Sequence, residues 1–469
     1  MKIALYTTII FILTTVGVSA QSNGLIFGST YIPQKNALNP AFYPNNNTFY
    51  ISLPGFNPEL HIPVSYNDLF FREGSSDERF INAWDLAEKL KSNNNLFLNT
   101  DIQHIGIGMR FGNLFANFSS MSRLNIHLGV PTGAAEIFAN KFEGLADKQI
   151  TISEPNLFSA TAYNEYALGA GYSFGELTVG ARLKLLNGIC DFRTTQTNFD
   201  LTFNSENQLT NALIRYNAMS AGSQIFKKNS FCEVMEAIFS SKNWGMNIDI
   251  GATYKWRMLE FSASILDLGK GIHWKNDVVS ITPHENTAII VENYDFGHIA
   301  IDNWDTLRSV FRGTLDSIQI NDSTSGGDYW SPTPTRLNLG ATVQLGKMFR
   351  AGILFHGQWD KDISFFDRSG NVKEKTMFRH TTTLVGGVNL ANWVELMASL
   401  SVVKNGSRAD WFNPGVGVNF SFGKIIQLYA LVNYVSSLNY KAMKSANVQI
   451  GFNLMFGKGL TAKATGNDE

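Results

Sequence analysis

Apolar and polar residues alternate along most of this chain, and the final strand is the plainest case. From Ala446 to Gly457 one face carries Val448, Ile450, Phe452, Leu454 and Phe456, while the other carries Asn447, Gln449, Gly451, Asn453 and Met455. A period of two predicts β-strand. Segments of roughly 9–11 such residues, apolar on one side and polar or glycine on the other, are long enough to cross a bilayer as strands of a barrel.

Tight turns join these strands in pairs. Tyr166, Leu168, Ala170, Tyr172 and Phe174 return through Gly175-Glu176 as Leu177, Val179, Ala181, Leu183 and Leu185. Pairing Phe174 with Leu177 keeps every apolar residue on one side, the condition a register must meet. Ile248 to Trp256 likewise return through Arg257-Met258 as Leu259 to Ile265, with Lys255 opposite Glu260. Further hairpins pair Leu337–Leu345 with Phe349–Phe355, Leu384–Leu390 with Val394–Val402, and Phe412–Phe422 with Ile426–Tyr434. The connections between hairpins are long, over Asn187–Gly245, Asp267–Thr335 and Asp360–Arg379. Short turns on one side and long loops on the other orient a barrel with its turns periplasmic.

Upstream, Ile105 to Phe111 reach a turn at Gly112-Asn113, Leu114 to Val130 supply a long interrupted strand, and Phe49 to Leu53 supply the first. The predicted fold is all-β, a transmembrane antiparallel β-barrel of about 14 strands, within a range of about 12–16. Two helices stand out. Asn82 caps Ala83 to Lys91, whose apolar positions share a face, and Thr132 to Phe142 is the second. They either pack on the loops or narrow the lumen.

The ends divide the chain further. Lys2, the apolar stretch to Val18 and Val18-Ser19-Ala20 predict a signal peptide over residues 1–20. Residues 21–47 form an N-terminal segment that could enter the lumen, 48–457 the barrel, and 458–469 a polar periplasmic tail. Location in a bacterial outer membrane follows, with membrane lipid and the barrel-assembly machinery as partners and envelope or secretion proteins as further candidates.

Composition agrees. Charged residues make up 16%, aromatics 13%, and there are 40 glycines and 35 phenylalanines. Mean hydropathy is −0.07, as expected where lipid-facing and lumen-facing residues cancel. A net charge of −1 without a basic stripe gives no support for nucleic-acid binding. Cys190 and Cys232 could pair or stay as thiols.

Several stretches resemble a known family, the outer-membrane barrels of Bacteroidota classified as a domain of unknown function. They are Leu38-Asn39-Pro40-Ala41-Phe42, Phe49 to Gly55, Ser65 to Leu69, Glu165 to Gly169, Leu177 to Lys184 and Phe261 to Gly269. The resemblance implies a barrel without an assigned substrate, related in shape to fatty-acid transporters and to barrels of type IX secretion and gliding. Phe456, the expected C-terminal aromatic, is followed by a polar extension rather than ending the chain.

No catalytic, cofactor or metal motif emerges. Gly106-x-Gly108 and Gly169-x-Gly171 fail the dinucleotide spacing. His127, His356 and His380 lie in or near strands without ligand spacing, and a Ser262 or Ser264 pair with His356 is the remaining enzymatic candidate. The informative positions are charges in phase with the polar face: Glu165, Arg182, Lys184, Asp249, Lys255, Glu260, Arg336, Arg350 and Glu395. These candidate lumen-lining residues could line a pore, bind a polar ligand or pair with one another. Trp256, Trp359, Trp393, Trp411 and Tyr434 are candidates for aromatic girdles at the membrane interfaces. Passage of a small or hydrophobic molecule and a non-transporting structural or interaction role are both open to such a barrel; neither is an enzyme.

Overall fold

The structure, a computed structural model, describes residues 24–44, 48–71, 79–90, 94–130, 132–154, 157–222, 242–282, 288–290, 299–301, 322–346, 348–366, 372–391, 393–405, 408–423, 425–435 and 443–457. The predicted signal peptide, the polar tail and Cys232 lie outside the described residues.

Fourteen strands form the wall: β1 (Phe49–Ser52, continuing as Gly55–His61), β2 (Asn94–Phe111), β3 (Leu114–Val130), β4 (Phe158–Phe174), β5 (Leu177–Phe203), β6 (Asn243–Trp256) and β7 (Leu259–Trp274), then β8 (Thr335–Leu345), β9 (Phe349–Phe366), β10 (Val372–Ala391), β11 (Val394–Asn405), β12 (Arg408–Phe422), β13 (Ile426–Val432) and β14 (Ser445–Phe456). Each pairs antiparallel with the next, and β1 closes the ring by pairing with both β2 and β14. Closure satisfies the backbone donors and acceptors within the sheet, which a lipid environment demands. The expected registers hold: Phe174 faces Leu177, Lys255 faces Glu260, Leu345 faces Phe349 and Phe422 faces Ile426. Gly175 turns at φ 60°, and Arg257 accepts the same left-handed conformation at φ 54°.

Burial is inverted relative to a water-soluble protein. On β6, Ile248, Ile250, Tyr254 and Trp256 are exposed on the outer face, while Asn247, Asp249 and Thr253 are buried inside. Trp256 and Trp393 are exposed near short turns, as interface aromatics should be. Tyr434 is instead fully buried beside Val403 and belongs to no girdle. The side chain of Trp411 lies outside those described.

Other boundaries differ from the sequence reading. β1 continues past Pro54 to His61, and β2 begins at Asn94, because polar residues near the rim conceal the alternation there. β3 runs unbroken, and the irregularity sits in its partner between Gln103 and Ile105. Within the long Asn187–Gly245 connection, the β-like stretches Thr194 to Phe203 and Gln208 to Asn217 do form the extended hairpin that their pattern predicts, with β5 reaching Phe203 and Leu209–Ala221 returning beside it. Both expected helices form, over Ala83–Lys89 and Thr132–Ala139; the Asn82 side chain accepts from the Trp84 and Asp85 amides at 3.0 and 3.1 Å. Trp84 meets Phe142 at 4.9 Å, and Phe142 packs with Leu201, Phe203 and Leu209 in a cluster on the long-loop side.

Residues 24–44 lie within the ring. They begin with a short helix α1 (Gly24–Gly28) and include a 3-10 turn at Pro33–Ala37, neither of which the sequence pattern predicts. Leu25, Ile26, Phe27, Ile32, Leu38 and Phe42 pack with Leu354, Val385, Met397, Tyr429 and Leu431 of the wall.

Candidate functional site

The lumen is built from three parts: the segment 24–44, a mid-barrel charge network, and clefts between the segment and the wall. The segment is tied to strands around much of the ring. Ser29 Oγ donates to Glu395 Oε2 at 2.7 Å and Arg350 Nη1 donates to Thr30 Oγ1 at 2.9 Å. Gln34 exchanges bonds of 2.7 and 3.1 Å with Asn453. The Leu38 carbonyl accepts from Ser264 Oγ and Asn338 Nδ2, at 2.6 and 2.7 Å. Asn39 Nδ2 donates to the Ala252 and Ala263 carbonyls at 3.0 and 3.1 Å. The wall leaves space for this approach: a methyl group on Gly180 would overlap the Pro40 carbonyl.

Above that contact, strands β2 to β8 bring eight charges together. Arg123 meets Glu165 at 3.0 Å and Asp101 at 3.6 Å. Lys184 meets Asp267 at 2.7 Å, Asp249 at 3.0 Å and Glu165 at 3.7 Å. Arg182 meets Asp249 at 2.8 Å and also donates to Asn36 Oδ1 at 3.2 Å. Arg336 Nε donates to Asp267 Oδ2 at 2.8 Å. The four cations face four carboxylates, so the network is neutral as well as largely buried.

Asp267 enters this network through a bulge. β7 alternates regularly to Ile265, which faces Ile250, but Leu268 faces Ile248, so the strand carries one extra residue between these pairs. Asp267 takes φ 58°, and both it and Leu266 are buried. A bulge re-aims a side chain in this way.

Among the described residues, three clefts lie between the segment and the wall or beside the network. The first, of ≈ 120 Å³, lies at the short-turn end and is lined by Lys35, Arg110, Lys255, Arg350 and Glu260, together with Phe42, Tyr43 and Thr178 among others. The second, of ≈ 90 Å³, lies towards the long loops, where its cations are paired: Arg193 with Asp191 at 2.8 Å and Arg379 with Asp360 at 2.5 Å. The third, of ≈ 80 Å³, runs from Arg123, Arg336 and Gln34 to Gly55, Phe56 and Ile450. It therefore meets the wall where β1 is interrupted at Leu53-Pro54, and where the register against β14 slips from Ser52–Asn453 to Phe56–Ile450.

Of the nine charges expected on the inner face, Glu165, Arg182, Lys184, Asp249 and Arg336 join the network. Lys255, Glu260 and Arg350 line the first cleft, and Glu395 holds Ser29 and the Thr30 amide. Sequence reasoning missed Asp101, Arg123, Asp267, Lys35 and Arg110. The break in alternation at Leu266-Asp267-Leu268 was the available signal for Asp267; Lys35 lies off the strands and had none. Ser264 Oγ donates to the Leu38 carbonyl, Ser262 Oγ to the Gly340 carbonyl at 3.4 Å, and His356 Nδ1 pairs with Asn338 Oδ1 at 2.6 Å. His127 Nε2 pairs with Asn95 Oδ1 at 2.9 Å. Among the described residues no three His, Cys, Asp or Glu converge to hold a metal.

These features define a closed membrane β-barrel with an occupied lumen. The chain belongs to the family of unknown function DUF5723, whose model matches residues 40–433. No match is found among curated proteins. Solved structures similar to it include the toluene transporter TbuX of Ralstonia pickettii, at 10% identity and TM-score 0.42 over 91% of this chain and 94% of that one. The toluene transporter TodX of P. putida is similar at 12% and 0.44, covering 95% and 99%. A FadL homologue of Pseudomonas aeruginosa is similar at 8% and 0.45, covering 94% and 100%.

Proposed function

We propose that this chain is an outer-membrane barrel that passes a small hydrophobic or amphipathic molecule, with residues 21–47 as its closing element. The observation that supports this reading is the third cleft, which reaches from lumenal Arg123 and Arg336 to the interruption of β1 beside Ile450. A wall built only for rigidity gains nothing from a proline break that removes ladder hydrogen bonds at mid-strand. A molecule carrying an apolar part could leave the lumen sideways there, once the segment shifts.

The test is single-channel conductance and flux of a hydrophobic fluorophore into vesicles, for the intact protein and for a form lacking residues 21–47. Silence in the intact protein, with conductance or flux on deletion, is the expected result. Silence of both forms in both assays would sink the transport reading. A second reading, a non-transporting interaction barrel, draws on the buried long-loop cluster of Trp84, Phe142, Phe203 and Leu209, whose packing gives that end of the barrel a fixed shape. It would gain from silence in both forms.

A further inference from the structure

The first cleft differs from every other charged part of the lumen because its charges do not cancel. Lys35, Arg110, Lys255 and Arg350 line it against one carboxylate, Glu260, and none of the four cations forms an ion pair among the described residues. Glu395 does not line the cleft but its charge reaches Lys35, while its oxygens accept from Ser29 Oγ, the Thr30 amide and Asn419 Nδ2; counting it, four cations still face only two carboxylates. Lys35 is only 7% exposed, and its Nζ has one oxygen partner, the Ser29 carbonyl at 3.3 Å. Its other neighbours are the rings of Phe27 and Phe42, at 5.0 and 4.3 Å. Arg110 lies over Tyr43 and Phe115, and its Nε is buried without an acceptor.

Buried ammonium and guanidinium groups are costly unless charge or hydrogen bonds compensate them. The same chain compensates its mid-barrel cations one for one, so the excess here is a local property of this cleft. Two guanidinium groups and two ammonium groups around one small volume match a group with several acceptor oxygens and up to two negative charges. We propose that this cleft binds a phosphate group. The phosphate belongs either to a free anion or to the head of an amphiphile whose chain lies along the apolar lumen core. Binding does not depend on transport, and a barrel silent in conductance would leave this site standing.

The test uses the full-length protein in dodecyl maltoside, titrated calorimetrically with inorganic phosphate and with dodecyl phosphate. Arg350→Gln and Lys35→Gln are compared with the unaltered chain, and compact migration on unheated gels confirms that each is folded. Lys255→Gln, at the half-buried rim, serves if the deeper variants fail to fold. Saturable binding that weakens about tenfold or more in the variants is expected, the loss of one charge-assisted hydrogen bond. Binding of inorganic phosphate identifies a free anion as sufficient. Binding of dodecyl phosphate alone identifies an amphiphile head, since neutral dodecyl chains are already in excess. No saturable binding of either probe, or equal affinity in the folded variants, overturns the proposal.

Discussion

Two groups of charges sit within one lumen and are treated in opposite ways. At mid-barrel, Arg123, Arg182, Lys184 and Arg336 are matched by Asp101, Glu165, Asp249 and Asp267, mostly within 3.0 Å. At the short-turn end, four cations line a cleft with a single carboxylate and form no ion pair among the described residues. The first arrangement resists change, because each charge is the compensation of another. The second leaves positive charge uncompensated by the chain itself, which suits it to something that arrives. Position fits this division: the network lies in the wall behind the Asn36–Ala37 turn, whereas the cleft opens beside the turns at Gly175 and Arg257.

The most damaging substitution is Lys184→Met. Lys184 is fully buried and touches three carboxylates, so its removal strands negative charge with no water to take its place. Loss of one partner from such a group costs about 3–5 kcal/mol. The midpoint of heat-induced loss of the compact gel form should fall well below that of the unaltered protein. An unchanged midpoint would mean that the network is held by water rather than by its own charges. Next in size is Gly180→Ala, which touches neither group of charges but lies between them. Its methyl would meet the Pro40 backbone carbonyl, an obstacle that no rotamer change can clear. Overpacking of this kind costs about 1–3 kcal/mol, and residues 24–44 should become more accessible to protease while the barrel stays closed.

The strands were legible because lipid and lumen impose opposite demands on alternate residues. Phe174–Leu177 and Lys255–Glu260 could be paired from the sequence for that reason. Legibility failed where that constraint lapses. Near the long-loop rim, as in Asn94 to Asp101, neither face needs to be apolar, so β2 looked shorter than it is. The inward pairing of Arg182 with Asp249 follows from their adjacent register, but the third strand of that contact, through Asp267, depends on a bulge that shifts the phase. Lys35 was invisible for a different reason. Segment 24–44 has no period because its surroundings change from residue to residue, apolar at Phe27 and Phe42, polar at Gln34 and Asn39.

Arg350→Gln probes the unpaired group of charges. Its contacts are hydrogen bonds to Thr30 and Thr342, both at 2.9 Å, with no ion pair to break. The expected loss of thermal stability is therefore about 1–2 kcal/mol, against about 3–5 kcal/mol at Lys184. A loss as large as that of Lys184→Met would show that the cleft is structural after all, and would remove the contrast.

The smallest effect concerns a charge outside the membrane and tests whether ordinary loop electrostatics follow the balanced pattern. Asp68 lies in the loop after β1, where burial raises its carboxyl but the Ser65 amide and hydroxyl, Lys444 and Lys89 outweigh this and lower it from 3.8 to about 2. Its lysine partners stand at 3.3 and 3.5 Å. A depressed pKa adds stability that is present above the unfolded value and is lost as pH falls through the folded one. Asp68→Asn should therefore lower the melting midpoint slightly at pH 5–7, with the difference shrinking from about pH 4 and vanishing near pH 2. Because the group is partly exposed, added salt should shrink it too. A difference that persists unchanged at pH 2 would assign the effect to the Ser65 hydrogen bonds, which an amide oxygen can still accept in part, rather than to charge.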